Sequence, residues 1–553
     1  MAHRHERALV ARMLTTAERR TAIGTGLSAF AALVVFVALA VYALFRPDLP
    51  PSQTSFWTPY TMRVLRFTLL QAGLSTLLSI GLAVPVALAL ARRPRFPGRL
   101  WILRLMAVPM GLPALVAALG LITVWGTQGM VNDLLLGFGL DEPVNIYGLG
   151  GILLAHVFFN LPLACRLMVA SLDRLPGEYW MLAAQLGMKP AAIFLRVEWP
   201  ALSRILPGIG SLIFMLCATS FTLVLVLGGG PAATTLEVAI YQALRFDFDP
   251  ARAMTLALLQ IGVTAVVLAV LSLLPAAEEA SVTTGRRSRR FDGRGTASVI
   301  WDAVMICCAT LMLLLPLGAI VWAGVRADLT SLLTSTAFRQ ALATSTMVAL
   351  SSSIAALLLS GAIIGARLTV RETKTPGKPL LALSAALGTA PLLVLLVPPV
   401  VLGTGWFLLL RPLASGSSLT AGLVVSINTL MALPFVIRVL EPAMQEHRRK
   451  TGRLAASLGI SGWARIWRID RPALIRPALL ALSFAMSLSL GDLGAVALFA
   501  SNDFVTLPWL LYSRLSSYRT ADADGLALLL GALCLVLTLI GTSGYERRGN
   551  SHG

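Results

Sequence analysis

Apolar runs of about 20 to 25 residues, each near the length that a hydrocarbon core of about 30 Å demands, follow one another along almost the whole of this 553-residue chain. A chain so written has little choice of environment. It is 57% hydrophobic and 13% charged, with a mean hydropathy of +0.79, which no soluble protein of this length resembles. The formal charge of +19 would suit nucleic acid only if it formed a basic face with base-reading or stacking groups. Here the basic residues sit in short clusters between apolar runs, the pattern of membrane topology, and nucleic acid is excluded as a partner. Cys165, Cys217, Cys307, Cys308 and Cys534 lie inside apolar runs without metal-ligand spacing and read as small packing residues.

Twelve spans are expected. In the first half they are Thr21 to Phe45, Leu65 to Ala91, Leu103 to Trp125, Gly148 to Ala170, Ile205 to Leu227 and Ala251 to Leu274. In the second they are Val299 to Ala323, Gln340 to Ala366, Leu380 to Leu410 with a break near Pro398-Pro399, Ala421 to Leu440, Ile475 to Phe499 and Ala523 to Ser543. The expected fold is an all-α membrane protein of two tandem six-helix domains, 1–275 and 299–553, joined by a flexible Gly, Ser, Thr and Arg linker over 276–298. Lys and Arg placement sets orientation. Arg4, Arg7, Arg12, Arg19 and Arg20 hold the N-terminus in the cytoplasm, and further clusters at Arg92 to Arg99, Arg286 to Arg294, Arg367 to Lys378 and Arg448 to Arg453 mark inside connections. Both termini are then cytoplasmic. The first apolar run is too long for a signal-peptide core and reads as a retained anchor.

Between the spans lies a polar island, Glu178 to Pro200, and it has a second copy. A single constant offset carries Ala183, Ala184, Gly187 and Pro200 onto Ala455, Ala456, Gly459 and Pro472, and the same offset carries Pro162 onto Pro434 and Arg166 onto Arg438. Each copy reads as helix, break, helix. Strong helix formers run from Glu178 to Leu186, Gly187 can take a positive φ without steric cost, and Pro190 suits the first turn of the next helix. A short helix lying across the cytoplasmic face, its knuckle presented to another protein through Met188, Ile193 or Phe194 and through Ile460, Trp463 and Ile466, fits this pattern.

No GxxxxGK[ST] loop, HExxH or zinc-spaced Cys and His set is present, so the chain carries no recognised ATP site, metal site or hydrolytic chemistry. Ionisable groups within the spans are the remaining candidates. Asp492 costs about 2.5 to 3.5 kcal/mol on insertion, and the Leu, Ile, Val and Phe residues of its span return roughly 0.3 to 0.6 each. It either caps a break made by Gly491 and Gly494 or serves as a counter-charge on a substrate path. His156 and Asn160, one turn apart, either line a path or bond between helices. Glu237, after Gly228-Gly229-Gly230-Pro231, is a gate or a loop cap.

The two islands resemble the EAA loops of ABC importer permeases. Ala183, Ala184, Gly187 and Pro200 match in the first copy and Ala455, Ala456, Gly459 and Pro472 in the second, with Met188 and Ile460 following the glycines. Leu182 and Leu454 stand where that pattern has Glu, and the Gly lies one residue nearer the Ala pair. Tyr147 to Pro162, Leu227 to Pro231 with Thr234-Thr235, Tyr241 to Leu244 running to Asp249 to Arg252, Gly491-Asp492, Asn502 to Phe504 and Thr506 to Pro508 are similar to permeases of thiamine and thiamine pyrophosphate ABC transporters. The resemblance implies a non-enzymatic inner-membrane subunit that binds no cofactor itself. It also implies two copies of a cytoplasmic ATPase using ATP and Mg, and a periplasmic thiamine-binding protein. Fused ferric iron permeases share the topology and the islands; an ion-gradient transporter working through Asp492 and His156 is the rival of another class.

Overall fold

The computed structural model describes residues 15–45, 57–139, 141–273, 290, 295–373, 377–410, 417–501 and 504–546. The linker expected over 276–298 therefore lies outside the described residues except at 290 and 295–298, as do Arg4, Arg7, Arg12, Arg286, Arg287, Arg289, Arg294, Lys374, Asn502 and Asp503. The described chain is helical, with one isolated bridge between Ser501 and Phe504.

Twelve principal helices order the description. They are α1 (Thr16–Ala43), α2 (Pro59–Arg92), α3 (Ala114–Trp125), α4 (Leu149–Leu172), α5 (Trp199–Ala218) and α6 (Pro250–Leu273), then α7 (Thr296–Arg326), α8 (Thr336–Arg371), α9 (Pro399–Leu410), α10 (Ser417–Ser457), α11 (Arg471–Gly491) and α12 (Thr520–Glu546). Among the described residues eleven helices are long and apolar enough to cross a membrane, or up to twelve when the bent pair Lys378–Gly388 and Ala390–Leu396 counts as one. Local chemistry starts them. Thr15 caps α1 in a capping box with Glu18, and Thr58 caps α2 ahead of Pro59. Pro162 and Pro434 are both carried inside continuous helices, in the same register.

The third span of each half is not a single rod. Leu103 to Trp125 divides into Arg99–Leu105, Val108–Gly111 and α3, and Leu380 to Leu410 divides into Lys378–Gly388, Ala390–Leu396 and α9. Pro113 and Pro398 stand at the final breaks, where a ring replaces the donor that helix continuation needs. The spans predicted from Ile205 to Leu227 and from Ile475 to Phe499 also stop early, at Ala218 and Gly491, and resume as Thr222–Leu227 and Gly494–Phe499. Non-helical backbone at these depths is tolerable because it is packed within protein, away from lipid. Pro113 sits against Gly491, and Phe221 and Val400 sit against Gly494.

The first helices of the two halves cross over. α1 packs on α8 and α9, and α7 packs on α2 and α3. Small residues allow the approach: a Cβ at Gly26 would collide with Ala366, and one at Gly120 would lie 2.6 Å from the Pro316 carbonyl. One apolar cluster consequently runs from Ala29 to Cys534 through both halves. Asp302, buried in α7, ties this crossing to α2 by ion pairs of 3.1 Å to Arg92 and 3.1 Å to Arg93.

Candidate functional site: two matched knuckles

In the first island, Gly177–Gln185 forms a helix that ends in a Schellman motif. The Met188 N–H donates to the Ala183 carbonyl at 2.9 Å and the Gly187 N–H to Ala184 at 3.2 Å, with Gly187 at φ +60°. The second island repeats it bond for bond. Ile460 donates to Ala455 at 3.0 Å and Gly459 to Ala456 at 3.2 Å, with Gly459 at φ +65°. After each break a short helix, Pro190–Ile193 or Gly462–Arg465, passes into a π turn, Phe194–Glu198 or Ile466–Asp470, again in the register that carries Gly187 onto Gly459. Pro200 and Pro472 follow in the first turns of α5 and α11. The π turn has a physical reason: a proline ring clashes with the carbonyl four residues back, and one extra residue in the turn carries that carbonyl away.

Two features differ from the expectation. The short helix after each glycine is not set off by a second break: Pro190 to Ala218 and Gly462 to Gly491 each run as one continuous helical stretch long and apolar enough to cross a membrane. In the second copy the limb before the glycine is also continuous with its span, because α10 extends to Ser457 without a Pro176-like interruption. Ile193, expected as a docking contact, is buried with Trp180 and Ala183, and Met188 packs against that cluster. Ala183 and Ala455 are small because they face inward, at 2% and 1% exposure. Trp463 and Ile466 are exposed, as expected of docking contacts, and the exposed leucines shared by the two copies are Leu182 and Leu186, 53% and 67% exposed, and Leu454 and Leu458, 60% and 63%. They are matched one for one in the same register. The pair sits one turn apart on the same helix face in each copy. The offset contained this signal, since both copies keep leucine at both positions.

The span residues are brought together differently. Asp492 is the cap of a break: its carboxylate accepts from the Gly494 N–H at 3.1 Å and the Ala495 N–H at 3.3 Å. His156 Nδ1 is 2.8 Å from Ser75 Oγ, and Asn160 donates to Cys217 Sγ at 3.3 Å, joining α4 to α2 and α5. A corresponding node joins α10 to α8 and α11, where Asn428 donates to Ser489 Oγ at 2.8 Å and Ser352 to Ser489 at 3.0 Å. The offset that superposes the islands also carries His156 onto Asn428 and Cys217 onto Ser489. These are interhelical bonds in matched places. Glu237, in the first turn of Leu236–Arg245, is fully buried, and among the described residues neither carboxylate oxygen has a hydrogen-bond partner, so it caps no loop. No group of three or more metal-ligating side chains occurs among the described residues.

No family model matches the chain. It is 45% identical over 481 residues to the thiamine transport system permease protein ThiP of Brucella abortus (strain 2308), a match covering 87% of each chain. To the thiamine transport system permease protein ThiP of Escherichia coli (strain K12) it is 44% identical over 509 residues, 91% of this chain and 93% of the relative. The molybdenum transport system permease protein ModB of Mycobacterium bovis matches 42% of the chain, at 30% identity over 88% of its own length. A multi-pass helical chain with likeness of this extent to the Brucella and Escherichia proteins belongs to the family of thiamine transport system permease proteins.

Proposed function

We propose that this chain is the membrane permease subunit of an ATP-driven ABC importer that carries thiamine and its phosphate esters across the bacterial inner membrane. A periplasmic binding protein delivers the substrate, both termini are cytoplasmic, and two copies of a cytoplasmic ATPase dock on the two knuckles. The observation that supports the coupling role is the repetition, in one constant register, of one Schellman turn, one π turn and one exposed leucine pair. A rigid, outward knuckle is what a lever needs. The thiamine assignment rests on the names of the Brucella and Escherichia relatives. ATP and Mg belong to the partner, since no phosphate-binding loop is written in this chain.

In this reading, closure of the ATPase dimer draws the knuckles together. Each passes the motion directly into a span, because the limb after the glycine is continuous with α5 or α11. Glu237 is the acidic group that meets the thiazolium cation: its oxygens are unengaged, whereas Asp492, His156 and Asn160 are held in the bonds described above. The path itself needs only weak, transient contacts for release to be fast. Co-purification tests the docking role. Wild type retains the ATPase, and a Gly187→Pro, Gly459→Pro double variant inserts normally but loses it; retention by the double variant refutes the role.

A further inference from the structure

The approaches to the two crossed helices make reciprocal contacts. Glu18, at the start of α1, accepts through Oε1 from the Gly462 N–H at 2.5 Å, at the second knuckle. Arg290, ahead of α7, donates from Nη2 to Glu198 Oε1 at 2.5 Å and lies 3.8 Å from the centroid of the Trp180 ring, at the first knuckle. Glu18 and Arg290 themselves occupy matched positions, related by the offset that carries Gly187 onto Gly459. Each half thus reaches across to the knuckle of the other.

The Arg290 contact is the consequential one. Glu198 is 1% exposed and the Arg290 side chain 5%. A carboxylate removed from water in this way is costly unless it is paired. Its counterpart in the second copy is Asp470, the last residue of the matching π turn, and Asp470 is served from within its own half by His447 at 2.7 Å and Arg465 at 3.6 Å. The first-copy positions matching His447 and Arg465 hold Leu175 and Ile193, which can supply no charge. Among the described residues the cation on Glu198 comes from the segment between the halves. Arginine suits the place doubly, since its planar head pairs with a carboxylate on one side and stacks on an indole on the other.

We propose that Arg290 is a positioning residue that seats the first knuckle, so that the connecting segment is part of the coupling apparatus and holds the first knuckle to the second half. The proposal rests on the knuckles being the ATPase docking sites. Its test uses the full permease with its ATPase and binding protein in proteoliposomes, reading thiamine transported per ATP hydrolysed. Arg290→Gln, which strands a buried carboxylate, lowers that ratio about tenfold or more at unchanged membrane level. The Arg290→Gln, Glu198→Gln double variant, with no buried charge, recovers most of it. A ratio equal to wild type in the single variant, or no recovery in the double, overturns the proposal. The contact is read independently of transport. In an Arg290→Cys, Glu198→Cys variant lacking the native cysteines, a bifunctional thiol reagent links the two positions, and the halves stay joined after cleavage at a protease site placed within 276–289. Halves that separate overturn the proposal while leaving knuckle docking intact. Failure of docking itself shows separately, as ATPase retained by the Gly187→Pro, Gly459→Pro variant.

Discussion

Substitution of the two knuckle glycines isolates backbone conformation from every other variable. A Cβ added at Gly187 or Gly459 would meet nothing within 4 Å, so neither site carries a steric penalty from its neighbours. What remains is the left-handed φ of +60° and +65°. For an ordinary L-residue that conformation costs about 1 to 2 kcal/mol, and a β-branched residue stands at or above the top of this range, whereas Asn visits it readily. With 1.4 kcal/mol corresponding to about tenfold in an equilibrium constant, Ala at one knuckle weakens ATPase attachment by about 5- to 30-fold and Val by about 30-fold or more. With the two knuckles acting as independent sites, Val at both multiplies the two losses. Asn at either site changes attachment by a few-fold at most, with Ala between. The assay is titration of purified ATPase onto nanodisc-held permease, with melting temperature as a control for insertion. If Asn, Ala and Val give the same affinity, the left-handed glycine is not what presents the knuckle, and the reasoning fails.

Further outcomes follow from the same geometry. Replacing Leu182 and Leu186 with Ser removes an exposed apolar pair and weakens ATPase binding without lowering thermal stability; Leu454→Ser, Leu458→Ser does the same at the second knuckle. Asp492→Asn keeps one of the two accepting oxygens and loses less stability than Asp492→Ala, which removes the cap at about 0.5 to 2 kcal/mol, measurable as a lower melting temperature. Glu237→Gln removes the unengaged acidic group and lowers thiamine uptake about tenfold with ATPase attachment unchanged. Full uptake in that variant removes Glu237 from the path.

The parts of the site that were legible in the sequence are those whose chemistry is local. Ala183, Gly187 and Pro200 announce a helix, a left-handed stop and a new first turn, and a second copy at constant offset makes chance a poor explanation. Leu182 and Leu186 were hidden for the opposite reason. In a chain this apolar, one more leucine carries no signal until burial separates the inward Ala183 from its outward neighbours. Hydropathy averaged over a span was likewise blind to the breaks after Leu105, Ala218 and Gly491, since Thr219-Ser220 and Asp492 are outweighed by the apolar residues around them and Met106-Ala107 is itself apolar. The pairing of Glu198 with Arg290 spans 92 residues and depends on the crossing of α7, which no local pattern encodes. Asp492 was legible as a pair of alternatives, and the capping bonds to Gly494 and Ala495 are what the structure adds.

The central claim, that this chain moves thiamine on the work of a partner docked at its knuckles, is tested most directly by uptake of labelled thiamine into proteoliposomes. These hold the permease with its ATPase, and binding protein is supplied outside. The account predicts uptake that requires ATP and binding protein together and is lost in the Gly187→Pro, Gly459→Pro variant. Uptake by the permease alone, following a proton or sodium gradient and indifferent to the knuckle prolines, would contradict it.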